Sequence, residues 1–574
     1  MSAFCDIWIS KDVNPLYERI GCNIWKNEIR QEFVVWKSCG QNSEYIIEHE
    51  NCKASITVIG QFYEKVQLET LLEQCLAYIN NSAKDFNDPS GNYVIFVFLK
   101  LEKQLHIFTN RLGTYHVYWS SINNKRVLST YYLGLAKSAT EKKLDWEGIT
   151  GFMAMGYFPG TTTYLEGISI LEPASHYVFD EYIELLKHNV YHQWQHSPVE
   201  YPIRELHEEL NTILTNSITQ ATKAKRVALP ISGGLDSRLL AGIVTQGNTP
   251  LKNVWSYSYG YTENSKETAI ALQIAKARQI GFSQFTIQNY LFDEIDLVSD
   301  SVELFQYVDG TRQASIVKQL EEHSDVVLCG HWGDVWMNDL SIGTQDPTDW
   351  FKNKIIKNGS NWLLKEMCEP HYRRHESFLN NYIDNWNHKY RHIEDVDFRM
   401  KMFKTNQWSF RWTLASVRMY QSAVMPVLPF YDCRLVDFFS KVPTHIVKNR
   451  EFEIEFIKLF YPDLAKIIWQ EYDRNLYNYK RYNNRSIIYR GIRKMKAALT
   501  HDTPIQRNWE VFYLNDTGRK KLENAILENT ALQQVVSRKV LQELIDDFYD
   551  NPSAANGYKI SQVHTLAQFM KLVF

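Results

Sequence analysis

VALPI (227–231), SGGLDS (232–237) and RLLAGIV (238–244) run consecutively and read as a strand, a glycine loop and the start of a helix. Glycines let successive backbone N–H groups approach phosphate oxygens, the helix N-terminus adds positive potential, and the two serine hydroxyls supply further donors. The candidate phosphate-binding residues are therefore Pro230, Ser232, Gly233, Gly234, Leu235, Asp236 and Ser237. Asp236 is placed to hold Mg²⁺ against the same phosphates. No lysine of the GxxxxGK type follows, so the loop is not the usual cradle for γ-phosphoryl transfer, and a different cleavage is implied.

Outward from this loop the period is that of alternating strands and helices. NVWSYS (253–258), QFTI (284–287) and DVVLCG (325–330) are short strand-like runs separated by helical patterns, which predicts an α/β doubly wound parallel sheet. Ligands of such sheets sit beyond the carboxyl ends of the strands, so the residues after 231, 258 and 330 are where chemistry is expected. From about residue 355 the pattern is mainly helical. Before the loop, residues 1 to about 195 are rich in β-branched and aromatic runs, at 55–60, 91–120, 126–131 and 174–180, around one helical pattern near 66–79. That half reads as an α+β domain dominated by sheet. The polar, proline-containing YHQWQHSPVEYP (191–202) precedes a helix with Leu206, Leu210, Ile213, Leu214 and Ile218 on one face, and places a domain boundary between 1–195 and 200–574.

The 574 residues exceed one ordinary core, and 44% apolar with 22% charged residues is the composition of a folded globular chain. A net charge of -3 gives no global reason to expect nucleic acid. The eight cysteines form no CxxC and no metal-ligand cluster, which fits a reducing compartment. The first thirty residues make neither a signal peptide nor a membrane span, and no run of about 18 apolar residues occurs, so a cytoplasmic location is expected.

SGGLDS resembles the pyrophosphate-binding loop of the ATP pyrophosphatases, specifically of the asparagine synthetase and β-lactam synthetase family. The resemblance implies that ATP adenylates a carboxylate, pyrophosphate leaves, and a nitrogen nucleophile attacks the acyl-adenylate. DVVLCGHWGDVWMND (325–339) resembles that family's Gly-x-x-x-Asp-Glu motif. Gly330 and Asp334 match, while Val335 stands where the family has Glu. The resemblance thus makes Asp236 and Asp334 the Mg²⁺ ligands, adds Gly330 to the ATP set, and assigns Trp255 to Gly260, with Tyr259, to the stretch that receives adenine. Asp309 and Arg312 lie where relatives bind the acyl substrate. PFYDCRLVD (429–437) and KVPTHIVKNREFE (441–453) extend the resemblance to about residue 465. Met425 and Val427 occupy the positions of the family's catalytic glutamate and arginine, and near 470–475, where relatives carry a lysine, the nearest cation is Arg474. Asp236, Asp334 and Arg474 are the catalytic set so implied.

In the first half, SGNYVIFVF (90–98), LHIFTNRLGTYHVYW (105–119) and GYFPGTTTYLEGISILEPASHYVFD (156–180) resemble the class II glutaminase domain, an N-terminal nucleophile-hydrolase-like sandwich. Its chemistry is not expected here: Ser2 follows Met1, and an internal Cys5 lacks the free α-amine that serves as base. The domain also lacks the Arg-Gly-Pro-Asp and Asn-Gly motifs that bind glutamine. A degenerate glutaminase is expected, with ammonia or an amine as nucleophile. The remaining alternatives are a peptide or β-lactam-type cyclase and a non-catalytic nucleotide-binding relative. KRYNNRSIIYRGIRKMK (480–496) carries seven Lys and Arg without an acid, with Ile488, Ile492 and Met495 at helical spacing. It reads either as a solvated amphipathic helix or as a peripheral contact for an anionic membrane or charged carrier. The expected partners are a small-molecule carboxylate, the nitrogen donor and, in a homodimer, a second copy.

Overall fold

The computed structural model describes residues 2–481 and 505–574, except Gln31, Gln41, Asn42, Asn123, Asn124, residues 247–249, Asn264, Gln288, Thr344 and Gln506. Beyond Arg481 the basic stretch 480–496 lies outside the described residues. Twelve strands make the first half: β1 (Cys5–Ser10), β2 (Lys26–Arg30), β3 (Phe33–Cys39), β4 (Ile46–Glu50), β5 (Ala54–Phe62), β6 (Gly91–Leu99), β7 (Leu105–Thr109), β8 (Tyr118–Ile122), β9 (Lys125–Ser129), β10 (Ile168–Ile170), β11 (Ser175–Phe179) and β12 (Leu185–Val190). They form two six-stranded antiparallel sheets, ordered β10-β8-β9-β1-β3-β2 and β12-β11-β7-β6-β5-β4. Alternation decides the packing. Val94, Phe96 and Phe98 of β6 join Ile7 and Ile9 of β1 in one core. Ile95 and Val97, on the other face, pack with Leu71, Leu72 and Cys75 of the helix Leu68–Ile79.

The second half is built on β13 (Val227–Pro230), β14 (Val254–Gly260), β15 (Gly281–Thr286), β16 (Val326–Leu328) and β17 (Met425–Val427). All four pairings are parallel and the order is β15-β14-β13-β16-β17, so the winding reverses between β13 and β16. The fifth strand was not expected from the sequence: three residues with Pro426 inside carry no readable period. Met425 and Val427, both fully buried, are core residues of this edge strand.

A buried ion network ties the halves together. Arg19 Nε donates to Asp6 Oδ2 at 2.7 Å, and its Nη atoms reach Glu303 Oε1 at 3.2 Å and the Asp300 carbonyl at 2.7 Å. Arg418 pairs with the other Glu303 oxygen. The terminal helix Ala554–Val573 is buried along most of its length: Phe569 stacks on Tyr164 at 3.9 Å, Tyr558 donates to the Met153 carbonyl at 2.9 Å, and Thr565 Oγ1 accepts from Val308 N at 3.2 Å. It therefore holds both halves. Among the described residues no helix is long and apolar enough to cross a membrane.

Candidate active site

The loop 231–235 leaves β13 at the point where the winding reverses, and the helix Asp236–Gln246 follows it. Its shape is held from within: Ser232 N donates to Ser237 Oγ at 3.0 Å, Gly234 N donates to Ser232 Oγ at 3.2 Å, and the two serine hydroxyls lie 3.1 Å apart. Gly233 is required by close approach, because a Cβ there would stand 2.2 Å from Gln470 Oε1. Gln470 N in turn donates to the Gly233 carbonyl at 3.2 Å. Fully buried Arg238, on the first turn of the helix, donates to the carbonyls of Leu464, Ile467 and Ile468 and so fixes the segment that carries Gln470.

The loop after β16 faces the same helix. Trp332 takes a left-handed conformation, φ 79°, and the short helix Gly333–Trp336 starts directly after it. A Cβ on Gly333 would meet Asp236 Oδ1 at 2.4 Å and the Phe430 ring at 2.9 Å, so no side chain fits there. Gly330, the glycine the motif singled out, has only ordinary contacts with Asp236 and Ser237. Asp334 is exposed, and its charge lies near enough to raise the Asp236 carboxyl.

Asp236 has a cation that sequence reasoning missed. Arg450 Nη2 donates to Asp236 Oδ1 at 2.7 Å, and its Nε donates to Glu453 Oε2 at 2.7 Å. The Glu453 side chain is fully buried and that of Asp236 is 21% exposed. Burial pushes both carboxyls above their ordinary range, and Arg450 opposes the shift. Arg450 itself sits at φ 61°, after Asn449 at φ 55°, immediately before the helix Glu451–Phe460. The Arg-x-x-Glu spacing at the start of that helix was the only signal in the chain for this pair. Arg474 is exposed, its Nη1 donates to the Asp473 carbonyl at 2.9 Å, and its carbonyl accepts from Trp469 N at 2.8 Å. The structure thus brings together Pro230 to Ser237, Gly330 and Asp334, and from 469–474 it is Gln470 that touches the loop.

Tyr259, at the end of β14, and Arg312 come together, with the guanidinium 5.0 Å from the ring centroid. Arg312, Asp309 and His331 line one cavity of about 670 Å³ beside the carboxyl ends of the strands. Asp309 is buried, its carboxyl pushed up to about 6 by burial, and Tyr290 donates to its backbone carbonyl at 2.8 Å. Burial, with Arg312 as the next cause, holds His331 down at about 4, so its ring is neutral at physiological pH. A π-helical stretch, Lys404–Thr413, also lines the cavity. Trp408 and Trp412 stand one turn apart there at 6.2 Å, edge to face, with Lys357 Nζ 4.4 Å from the centre of Trp408. Burial pushes the Lys357 amine down to about 8. π-Turns are rare and concentrate at functional sites.

A family model described as asparagine synthase matches residues 209–455, the span that holds the glycine loop, both facing loops and Arg450. This segment is similar to the asparagine synthase family. No curated protein matches it significantly. Among solved structures it is similar to the glutamine-dependent NAD+ synthetase from Acinetobacter baumannii in complex with adenosine diphosphate, at 17% identity and TM-score 0.18, over 30% of this chain and 34% of that one. It is also similar to the glutamine phosphoribosylpyrophosphate amidotransferase from B. subtilis complexed with ADP and GMP, at 9% identity and TM-score 0.20, over 50% of this chain and 86% of that one. The chain spans about a third of the length of the first, and at these scores neither likeness carries weight for the site. Within the asparagine synthase segment, Pro429-Phe430-Tyr431-Asp432 is architectural: the Asp432 side chain accepts from Arg434 N at the head of a helix, and Trp336 Nε1 donates to the Phe430 carbonyl at 2.9 Å.

Proposed function

We propose that the chain is an AMP-forming carbon–nitrogen ligase that adenylates a carboxylate on ATP. The observation that carries this reading is the convergence of a lysine-free glycine loop, Asp236, the Asp334 loop and Arg450 at one end of the parallel sheet. The backbone N–H groups of Gly233 and Leu235 and the Arg450 guanidinium would bind the β and γ phosphates, leaving the α-phosphorus towards the cavity. A carboxylate oxygen attacks that phosphorus, the bond to pyrophosphate breaks, and an acyl-adenylate and pyrophosphate result. The nitrogen nucleophile then adds to the acyl carbon, AMP leaves, and the amide forms as the nitrogen loses its proton. Two close carboxylates, one beside a counter-cation and one exposed, fit a Mg²⁺ ion that takes its other ligands from phosphate and water, so Asp236 and Asp334 would hold it. When bound, the ion neutralises charge on the leaving pyrophosphate.

The same reading makes the first half a folded support that does not hydrolyse glutamine. Cys5 lies inside β1, fully buried, with its thiol pushed far up by burial, the reverse of what a nucleophile needs. The nitrogen donor is then ammonia or an amine. The test is ATP–pyrophosphate exchange across a panel of acids, with ammonium or glutamine added for the second step. Exchange dependent on one acid, lowered at least about a hundredfold in Asp236→Asn, is expected. Glutamine should not replace ammonium. Acid-independent ATP binding without exchange in any arm would leave a non-catalytic relative as the answer.

A further inference from the structure

The cavity beside the phosphate loop has a chemistry of its own, and on the adenylation reading it decides which acid is activated. At about 670 Å³ it is in the range of a drug-sized ligand and several times what a single amino acid fills. Four residues that line it carry a buried polar atom, Gln306 Oε1, Asp309 Oδ1, Gln313 Oε1 and His331 Nδ1, with no hydrogen-bond partner among the described residues. Such atoms are costly to bury unpaired, and four around one cavity call for a ligand that brings several donors. The rest of the wall supplies flat faces and positive charge. Trp408, Trp412 and Trp509 present their indoles, while Lys357, Arg312 and Arg507 carry cations. Aromatic faces suit a ring with an apolar C–H face, the unpaired acceptors suit hydroxyls around its edge, and the cations suit carboxylates.

We propose that the acid adenylated here is a sugar acid, a uronate presented with further anionic residues, and that the π-helical tryptophans stack its ring. Aspartate would leave most of the wall without a partner. A hydroxyl-free acid would leave the single oxygens Gln306 Oε1, Asp309 Oδ1 and Gln313 Oε1 without a donor, which sites built for hydroxyls reject strongly. Asp309 accepts from hydroxyls as the carboxylate, the form it holds above its raised pKa of about 6.

The experiment is calorimetric titration of the full chain, with a non-hydrolysable ATP analogue present, using oligogalacturonate, galacturonate, L-aspartate, cyclohexanecarboxylate and a neutral oligosaccharide. Oligogalacturonate should bind, the monomer more weakly, and the other three not measurably. Trp408→Ala and Asp309→Asn should each weaken the uronate by about tenfold. Absence of heat with both uronates overturns the proposal, as does tighter binding of aspartate or cyclohexanecarboxylate, or uronate binding indifferent to both substitutions. Pyrophosphate exchange is run alongside. Uronate binding without exchange keeps the ligand class and sinks adenylation, whereas exchange with aspartate alone keeps adenylation and sinks the ligand class.

Discussion

Arg450→Ala should cost the protein about 3–5 kcal/mol and abolish nucleotide-dependent chemistry in the same step. Removing one partner of a buried ion pair leaves the other charge uncompensated, and Arg450 has two partners, the fully buried Glu453 and the largely buried Asp236. The sign of the pH dependence follows from the direction of the shifts. Both carboxyls are raised above their ordinary range, so the folded state holds their protons longer than the unfolded chain, and stability falls as pH rises through that window. Without Arg450 the opposing influence disappears and both shifts grow. The gap between variant and wild type should therefore widen from pH 5 to pH 8 in guanidinium denaturation. Adding Glu453→Gln to Arg450→Ala should recover part of the loss. A pH-independent gap, or no recovery in the double variant, would show that Arg450 acts through packing and not through charge.

Arg19→Met should be comparably damaging although it lies far from the loop. Arg19 and Asp6 are about 2% exposed and Glu303 is fully buried, so the substitution strands Asp6 with the Thr130 hydroxyl at 2.9 Å and leaves Glu303 to Arg418 and the Leu133 backbone N–H. A loss of about 3–5 kcal/mol is expected. Because the network spans the contact between the antiparallel and parallel halves, the effect should be on their coupling as well. Differential scanning calorimetry should show a melting transition that splits or broadens in the variant. An unchanged single transition with a small shift would mean that the terminal helix, and not the ion network, joins the halves.

Where the sequence carried a period, it was legible. The β-branched runs around 55–60 and 91–120 became β5 to β8, and the strand-helix alternation after residue 226 became the parallel sheet. The glycine loop was legible because its meaning is local: strand, loop and helix are consecutive. β17 was not, since three residues carry no period and its place is decided by pairing with β16 across nearly a hundred residues. Arg450 and Gln470 were missed for the same reason. Nothing around residue 450 says that it will face residue 236, and only the fold makes them neighbours. Arg474 was picked by distance along the chain from a motif, and Gln470 of the same segment touches the loop. Met425 and Val427 are ordinary core residues, and the cavity proposed to take the acid has walls from segments spread over residues 155 to 561.

The wide-turned stretch Lys404–Thr413 makes chain length, as distinct from side-chain identity, a determinant of that cavity. An α-helical residue turns about 100° from its neighbour. Losing one residue would let this stretch close into ordinary α-helix and swing everything on one side of the deletion by that angle relative to the other. Trp408 and Trp412 would still share a face, but that face would turn relative to the rest of the cavity wall. Relatives that differ by a single insertion or deletion here would present different walls to their acids while keeping the nucleotide loop intact, so preference for one acid over another would be inherited as an indel and be invisible to comparison of aligned residues.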